Sequence, residues 1–150
     1  MLQLDRQGIE KLLPHRDPFL FVDQVTGSGT DDKGIAWLET QWTAQPDMDV
    51  FRGHYPGNPI LPGVLIQEHI FQSGALLIYT TENREGLTGG MPVLTKVEDA
   101  RFRRMVKPGM QLTTRVELTE SLSNARYIRA KVTGPEGLVA RLTCVLALAD

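Results

Sequence analysis

Cysteine is almost absent from this sequence: Cys144 is the one thiol in 150 residues. A single thiol excludes an intramolecular disulfide framework and any zinc site built from several cysteines. Because Cys144 lies in an apolar run, residues 142–148, we expect a buried and unreactive side chain. The three histidines, His15, His54 and His69, show no metal-ligand spacing. Phosphate-loop and dinucleotide-binding motifs are missing too, so we expect neither a metal nor an organic cofactor.

Long hydrophobic runs and an excess of positive charge are also missing. No apolar stretch approaches the roughly 20 residues of a membrane-spanning helix, and no apolar leader is visible, so we expect a cytoplasmic protein without a membrane span. The net charge of −2 argues against nucleic-acid binding, which depends on a basic surface. Residues 96–115 nevertheless hold six basic and two acidic residues. This local basic segment is suited to a small acidic partner.

The strongest chemical signal lies in the segment that leads into a long apolar helix. Residues 53–63 include three prolines and three glycines, which favour a fixed, irregular loop around His54. The helix predicted for residues 64–79 is apolar on nearly every side and carries Glu68 on its second turn. A carboxyl group in a buried helix is costly unless it is paired or neutral. A histidine and such a carboxyl are the groups that acid–base catalysis needs.

Each of these two residues also has an ordinary structural explanation. Taken alone, a histidine in a Pro/Gly loop is more often held by structural hydrogen bonds. Taken alone, Glu68 is explained equally well by a buried salt bridge. The combination of both residues within one short segment favours catalysis.

The order of the predicted elements indicates an α+β fold. We predict one domain, residues 1–150, because this length suits a single core. Two strands, one long helix and four further strands do not alternate as in a parallel βαβ protein. A helix that is apolar all round needs cover on all sides, which an antiparallel β-sheet wrapped around a long central α-helix supplies. The predicted elements are a short helix at 7–13, strands at 19–26 and 35–43, the central helix at 64–79, and strands at 92–102, 111–121, 126–133 and 138–148, with a turn-rich stretch at 27–34 and an exposed connection at 80–90.

Three separate motifs resemble those of the β-hydroxyacyl-acyl carrier protein dehydratases of fatty-acid synthesis. The family signature is a Gly-His-Phe-Pro-Gly loop, a Pro-Gly-Val-Leu helix start and a Glu on the helix; here Tyr55 stands for the Phe. Residues 13–23, Leu-Pro-His-Arg-Asp-Pro-Phe-Leu-Phe-Val-Asp, are similar to the opening of the family. Residues 100–104, Ala-Arg-Phe-Arg-Arg, and 107–109, Lys-Pro-Gly, are similar to a later strand and turn.

The resemblance implies a fold, a reaction and a site. The fold is the hotdog fold, assembled as a homodimer and often further as a trimer of dimers. The reaction removes water from a (3R)-hydroxyacyl group on acyl carrier protein, where a phosphopantetheine arm carries the acyl chain, and yields a trans-2-enoyl thioester. His54 is then the base and Glu68 the acid, from opposite subunits. The backbone N–H groups of Gly63 and Val64, at the positive end of the helix dipole, are placed to hold the thioester carbonyl.

Several other residues have two possible roles at this point. Gln72 lies one helical turn beyond Glu68 and is a candidate for orienting its carboxyl group. Phe71 stands where the family favours a small residue, and either fills the core or narrows the acyl tunnel. His15 follows a helix end and is expected to interact with terminal carbonyls, and His69 is not expected to be catalytic. Four basic residues form either a carrier-docking surface or a merely solvated face: Arg101, Arg103, Arg104 and Lys107.

Two functions of other classes remain open on the sequence. A hotdog acyl-thioesterase would act on the same kind of ligand but would direct a base at a water molecule. A noncatalytic acyl-binding protein would keep the pocket without the chemistry. The family usually has Asn-Glu-x-Phe-Phe before the histidine loop, whereas this chain has Asp-Met-Asp-Val-Phe at residues 47–51. Together with Phe71, this departure favours an unusual acyl substrate.

Overall fold

The computed structural model describes residues 2–83 and 90–149. A long helix runs between two groups of antiparallel strands along the chain. No helix in the described residues combines the length and hydropathy that crossing a membrane requires. The elements are α1 (Arg6–Leu12), β1 (Gln24–Thr30), β2 (Ala36–Thr43), α2 (Val50–Gly53), α3 (Gly63–Thr81), β3 (Met91–Phe102), β4 (Gln111–Leu122), β5 (Ala125–Gly134) and β6 (Gly137–Ala149).

One antiparallel sheet wraps around α3. Its strand order is β1-β2-β4-β5-β6-β3, and α3 packs chiefly against β2 and β4. Side chains alternate between the two faces of each strand; on β5, Ile128, Ala130 and Val132 face the helix and are buried, whereas Arg129 and Lys131 face outward and are exposed. The α+β prediction of a sheet wrapped around a long central helix is confirmed.

The first predicted strand is displaced along the chain. Strand β1 covers Gln24–Thr30, so it extends into the stretch that we predicted to be a turn. The turn lies later in the chain, at residues 31–35. There the Asp31 side chain accepts hydrogen bonds from the backbone N–H groups of Lys33 and Ile35. Residues 19–23 are apolar enough to predict a strand, but they lie outside the sheet. The backbone groups of Phe19 and Phe21 bond instead to the side chains of Gln72 and His69 on α3, contacts that local propensity does not predict.

The other predictions differ mainly at their boundaries. The short helix α2 was not predicted; it ends at Gly53, where the predicted irregular loop of residues 53–63 begins. Helix α3 continues to Thr81, and the predicted exposed connection at 80–90 falls partly on residues 84–89, which lie outside the described residues. The four later strands occur close to their predicted positions.

Strand β3 forms an edge of the sheet and is poorly covered. It is 12 residues long, yet most of its side chains are exposed on both faces because α3 makes few contacts with it. Four large apolar side chains on it are exposed: Met91, Val93, Leu94 and Phe102. A long apolar edge with unpaired backbone groups is a surface suited to pairing with another strand.

Candidate active site

The loop after α2 holds the imidazole of His54 in one orientation. The backbone N–H of His54 donates to the carbonyl of Val50 at 2.8 Å, which ends α2 at this residue. Its Nδ1 lies 2.9 Å from the carbonyl oxygen of Ile60. A carbonyl only accepts, so Nδ1 is the donor, and in the neutral imidazole Nε2 then has a free lone pair. The ring of Tyr55, 4.6 Å away between centroids, packs against the imidazole. A half-buried histidine with an unprotonated Nε2 has the form that a general base requires.

The first turn of α3 leaves backbone donors open. Its N-cap residue, Pro62, makes no side-chain capping hydrogen bond, whereas Asp5 caps α1 through Gly8 N–H at 2.8 Å. In the described part of the chain, no group accepts from the N–H of Gly63 or Val64. The ring of Phe102 lies over Gly63, and a Cβ atom there would come within 3.3 Å of Phe102 Cε1. The helix start is therefore an uncapped pair of donors at a glycine that no larger residue replaces freely.

Gln72 fixes the carboxyl group of Glu68. The Gln72 amide is fully buried; its Oε1 accepts from Phe21 N–H at 2.7 Å, and its Nε2 donates to Phe19 O at 2.9 Å and to Glu68 Oε2 at 3.0 Å. These three bonds determine which end of the amide faces Glu68. Since Oε2 accepts from Gln72, a proton on the Glu68 carboxyl belongs on Oε1. The geometry supports the predicted orienting role of Gln72.

His15 faces Glu68, which the sequence did not predict. His15 Nε2 lies 3.9 Å from Glu68 Oε2, and the two side chains are 30% and 25% exposed. The terminal carbonyls of α1 are bonded instead by Arg16, whose Nη1 donates to Leu13 O at 2.8 Å and whose Nη2 donates to Glu10 O at 2.9 Å. The expectation that His15 interacts with these carbonyls is wrong because the neighbouring guanidinium takes them.

His69 ties α3 to two other parts of the chain. It is fully buried, with Nδ1 at 2.6 Å from Phe21 O and Nε2 at 2.7 Å from Thr114 Oγ1. Nδ1 therefore donates to the carbonyl, and Nε2 accepts from the hydroxyl. The imidazole also stacks on Trp42, with 5.3 Å between ring centroids. His69 is a structural residue, and its side chain leaves α3 about 100° around the helix from that of Glu68.

The burial of His69 predicts acid sensitivity. Burial lowers the pKa of His69 from 6.5 to about 4, although its hydrogen bond to Phe21 O acts in the opposite direction. The unfolded chain therefore binds a proton at this residue below about pH 6.5, and the folded chain does so only near pH 4. The resulting stability is present above pH 6.5 and is lost as the pH falls toward 4. We expect the free energy of unfolding to fall by about 2 kcal/mol between pH 7 and pH 5.

Urea denaturation at both pH values and one protein concentration measures this loss. The control is His69→Gln, whose amide can donate to Phe21 O and accept from Thr114 without titrating. Between pH 7 and pH 5, the unfolding free energy of His69→Gln should therefore fall by about 2 kcal/mol less than that of the wild type. Equal pH dependence in both proteins would show that His69 is not responsible.

A polar stripe on α3 collects these contacts. Glu68, His69, Gln72 and Ser73 follow helical spacing on an otherwise apolar helix, and Ser73 Oγ lies 2.8 Å from Thr40 Oγ1. This stripe was visible in the sequence and could have identified the side of α3 that faces the segment 19–23. Nothing local indicates the approach of His15, which comes from 53 positions earlier in the chain.

The structure does not bring all predicted site residues together within one chain. His54 and Glu68 share no hydrogen bond or ion pair among the described residues. Phe71 is half-buried and packs against the core. A cleft of about 610 Å³ opens one helical turn before Glu68, lined in part by Phe19, Met48 and Leu65. Met48 belongs to the stretch that departs from the family pattern.

The predicted basic surface is exposed, and the sheet extends it. The side chains of Arg101, Arg103, Arg104 and Lys107 are all exposed, and Arg104 lies 3.8 Å from Glu136. On the outer face of the sheet, cations stand directly opposite one another on four neighbouring strands, in the row Arg115, Lys131, Arg141 and Arg101.

Residues 13–138 match the model of the FabA-like domain. The 3-hydroxyacyl-[acyl-carrier-protein] dehydratase FabZ of Anaeromyxobacter sp. (strain K) is 38% identical over 148 residues, which cover 98% of this chain and 92% of that protein. The protein of the same name from Latilactobacillus sakei subsp. sakei (strain 23K) is 36% identical, with 95% of this chain and 99% of that protein covered.

Solved structures share the fold at much lower identity. The dehydratase heterocomplex ApeI:P from Xenorhabdus doucetiae has a TM-score of 0.73 and 14% identity, over 95% of this chain and 91% of that chain. A putative thioesterase, yhdA from Lactococcus lactis, has a TM-score of 0.63 and 16% identity, over 84% of this chain and 92% of that chain. These similarities establish the hotdog fold. They do not establish the activity, for which the sequence relatives provide the evidence. With its match to the family model and its identity to these relatives over nearly the whole chain, the protein belongs to the FabZ-type 3-hydroxyacyl-[acyl-carrier-protein] dehydratase family.

Proposed function

We propose that this protein removes water from (3R)-hydroxyacyl groups carried on the phosphopantetheine arm of acyl carrier protein. One observation carries the proposal. His54 and Glu68 each have one polar atom held by the protein and another that bonds to no group among the described residues. The open atoms are the unprotonated Nε2 of His54 and the Oε1 of Glu68. A base and an acid are the two groups that this elimination needs.

The proposed reaction moves two protons. His54 Nε2 takes the proton from the α-carbon, and the backbone N–H groups of Gly63 and Val64 stabilise the negative charge on the thioester carbonyl oxygen. The bond between the β-carbon and the hydroxyl then breaks as Glu68 Oε1 gives its proton to the departing oxygen. The products are water and a carbon–carbon double bond next to the thioester. No metal or organic cofactor enters this scheme.

The proposal includes a homodimer, in which His54 of one subunit works with Glu68 of the other. Two observations support it: the two residues make no mutual contact within one chain, and β3 presents a long apolar edge. Antiparallel pairing of two β3 edges would satisfy the exposed backbone groups and cover apolar side chains. Further assembly as a trimer of dimers and a cytoplasmic location remain part of the proposal.

A basic surface is proposed to dock the acidic carrier. It comprises the predicted Arg101, Arg103, Arg104 and Lys107, extended by Arg115, Lys131 and Arg141. Like charges directly opposite on neighbouring strands are destabilising, so this row favours an anionic partner over an empty surface. The row of opposed cations ends at Arg101 on the edge strand β3. The next residue, Phe102, lies on the other face of that strand, where its ring covers Gly63 at the start of α3.

Charge reversal tests the docking surface. The double variant Arg101→Glu/Lys107→Glu removes two exposed cations that form no ion pair with any other described residue. We expect it to lower kcat/KM for carrier-bound substrate by about tenfold or more, and added salt to weaken carrier use by the wild type. Activity on a hydroxyacyl-pantetheine should change less. The matched control Lys11→Glu/Lys33→Glu should retain wild-type values, and equal loss on both substrates would contradict docking here.

Mass spectrometry of the acyl carrier after incubation tests the reaction itself. A 3-hydroxyacyl carrier should lose the mass of one water molecule. Loss of the whole acyl group would identify a thioesterase, and an unchanged mass with retained binding would identify an acyl-binding protein. A series of chain lengths and branched acyl groups in the same assay, compared between the wild type and Phe71→Ala, tests whether Phe71 contacts the acyl chain and selects an unusual substrate.

A further inference from the structure

The contact between His15 and Glu68 has no role in the proposed dehydration steps. Among the described residues, His15 Nδ1 is a buried nitrogen with no hydrogen-bond partner, and its Nε2 faces Glu68 Oε2 at 3.9 Å. Burying a polar atom without a partner is destabilising. Such a cost calls for an explanation, and the end of α1 does not provide one because Arg16 already bonds its carbonyls.

The surroundings determine the tautomer of His15. If Nδ1 carried the proton, a buried N–H would have no acceptor and the Nε2 lone pair would face a carboxyl oxygen. With the proton on Nε2, a donor faces that oxygen instead. The charged groups around the ring are Glu68 from α3 and, from the end of α1, Arg16 together with its ion-pair partner Glu10 at 3.2 Å. Burial lowers the pKa of His15; Glu68 acts against this change and Arg16 adds to it. His15 is therefore a neutral donor near pH 7.

We propose that His15 is a positioning residue for Glu68, which donates from Nε2 to Glu68 Oε2 and stabilises the carboxylate that remains after Glu68 has released its proton. The inference rests on the proposed function of Glu68. Gln72 Nε2 approaches the same oxygen at 3.0 Å. Two donors on Oε2 leave Oε1 as the oxygen that carries the transferable proton. The present separation of 3.9 Å is longer than a hydrogen bond and would shorten when Glu68 becomes an anion.

Two substitutions separate this role from simple packing. In His15→Gln, the amide nitrogen takes nearly the place of Nε2 and remains a donor. In His15→Phe, the ring shape remains and the donor is lost. We expect His15→Phe to lower kcat by roughly 10-fold to 100-fold, the range for a hydrogen bond to a charged group, with little change in KM. His15→Gln should keep kcat within about threefold of the wild type, a small loss on the same scale.

The pH profile of kcat and the melting temperature provide two further measurements. A purely structural role of His15 would not change them in this way. Because the donor is lost in His15→Phe, the alkaline limb of its kcat–pH profile should move to higher pH by about one unit. Its melting temperature should equal or exceed that of the wild type, because phenylalanine removes an unpaired buried nitrogen. A wild-type profile and kcat in His15→Phe would overturn the proposal. So would equal losses of kcat in both variants accompanied by lower melting temperatures.

A measurement without turnover distinguishes failure of this inference from failure of the proposed reaction. The ¹³C carboxyl resonance of Glu68 can be followed against pH in the dimeric wild type and in both variants. We expect the midpoint to move upward in His15→Phe and to stay near the wild-type value in His15→Gln, whether or not any hydroxyacyl substrate is turned over. An unchanged midpoint in His15→Phe would show that His15 does not act on Glu68.

Discussion

Replacing His54 with alanine, or Glu68 with glutamine, should each lower the rate of dehydration by at least about 10²-fold, and up to about 10⁴-fold. The physical reason is that each replacement removes one of two proton transfers while leaving the backbone donors of Gly63 and Val64 in place. Glutamine keeps the shape of Glu68 and its contact with Gln72 but has no acidic proton. Steady-state kcat with a 3-hydroxyacyl carrier measures the loss, with circular dichroism to verify folding.

A mixture of the two inactive proteins provides a sharper test of the shared site. If His54 and Glu68 meet across a dimer interface, a mixed dimer contains one intact pair and one doubly altered pair. Refolding the two variants together should restore part of the activity. Absence of recovery, with subunit exchange demonstrated by mass labels, would place both residues in one subunit. Near wild-type kcat in either single variant would remove that residue from the mechanism.

Replacing Arg126 with methionine should lower the free energy of unfolding by about 1.5–3 kcal/mol, the range for hydrogen bonds between charged groups. Arg126 forms a two-bond ion pair with Glu82, from Nε to Oε2 at 2.7 Å and from Nη2 to Oε1 at 2.9 Å. The two side chains are only 11% and 22% exposed. The hydrogen bond with Glu82 raises the pKa of Arg126, so its guanidinium stays charged. Methionine keeps much of the volume and leaves the Glu82 carboxylate without its arginine.

Urea denaturation at pH 7 and one protein concentration measures this effect. Two controls accompany it. Arg129→Met breaks the more exposed pair with Glu117, 3.1 Å apart, and should cost less than about 1 kcal/mol. The double variant Arg126→Met/Glu82→Gln removes both charges and should recover part of the loss. An equal loss in the single and double variants would show that packing of Arg126, and not its charge pairing, stabilises this end of α3.

Local sequence rules predicted the structure correctly wherever the interacting residues lie close together in sequence or on one regular helix or strand. Prolines and glycines predicted the loop around His54, and apolar periodicity predicted α3. The four-residue spacing of Glu68 and Gln72 on a helix predicted their hydrogen bond. Strand-like segments between turn residues predicted the four strands that follow. These predictions hold because side-chain periodicity and turn preferences depend on a few neighbouring residues.

Contacts between distant segments followed no local rule. Residues 19–23 read as a strand, yet the backbone of Phe21 bonds to Gln72 and His69 and does not join the sheet. The helix end predicted a role for His15 that Arg16 performs instead. The row of cations from Arg115 to Arg101 depends on the register of four strands. Register is decided by which faces are buried across the whole sheet.

The sequence alone determined the class of fold, the family resemblance and the choice of His54 and Glu68 as the candidate pair, because these depend on residue types at short spacings. Tertiary structure alone decided which atoms of that pair remain open and which neighbours act on them. Ile60 O determines the proton position on His54, and Gln72 with His15 selects the oxygen of Glu68 that can carry a proton. Hydrogen bonds act over about 3 Å, and only folding brings positions 15 and 68 within that order of distance.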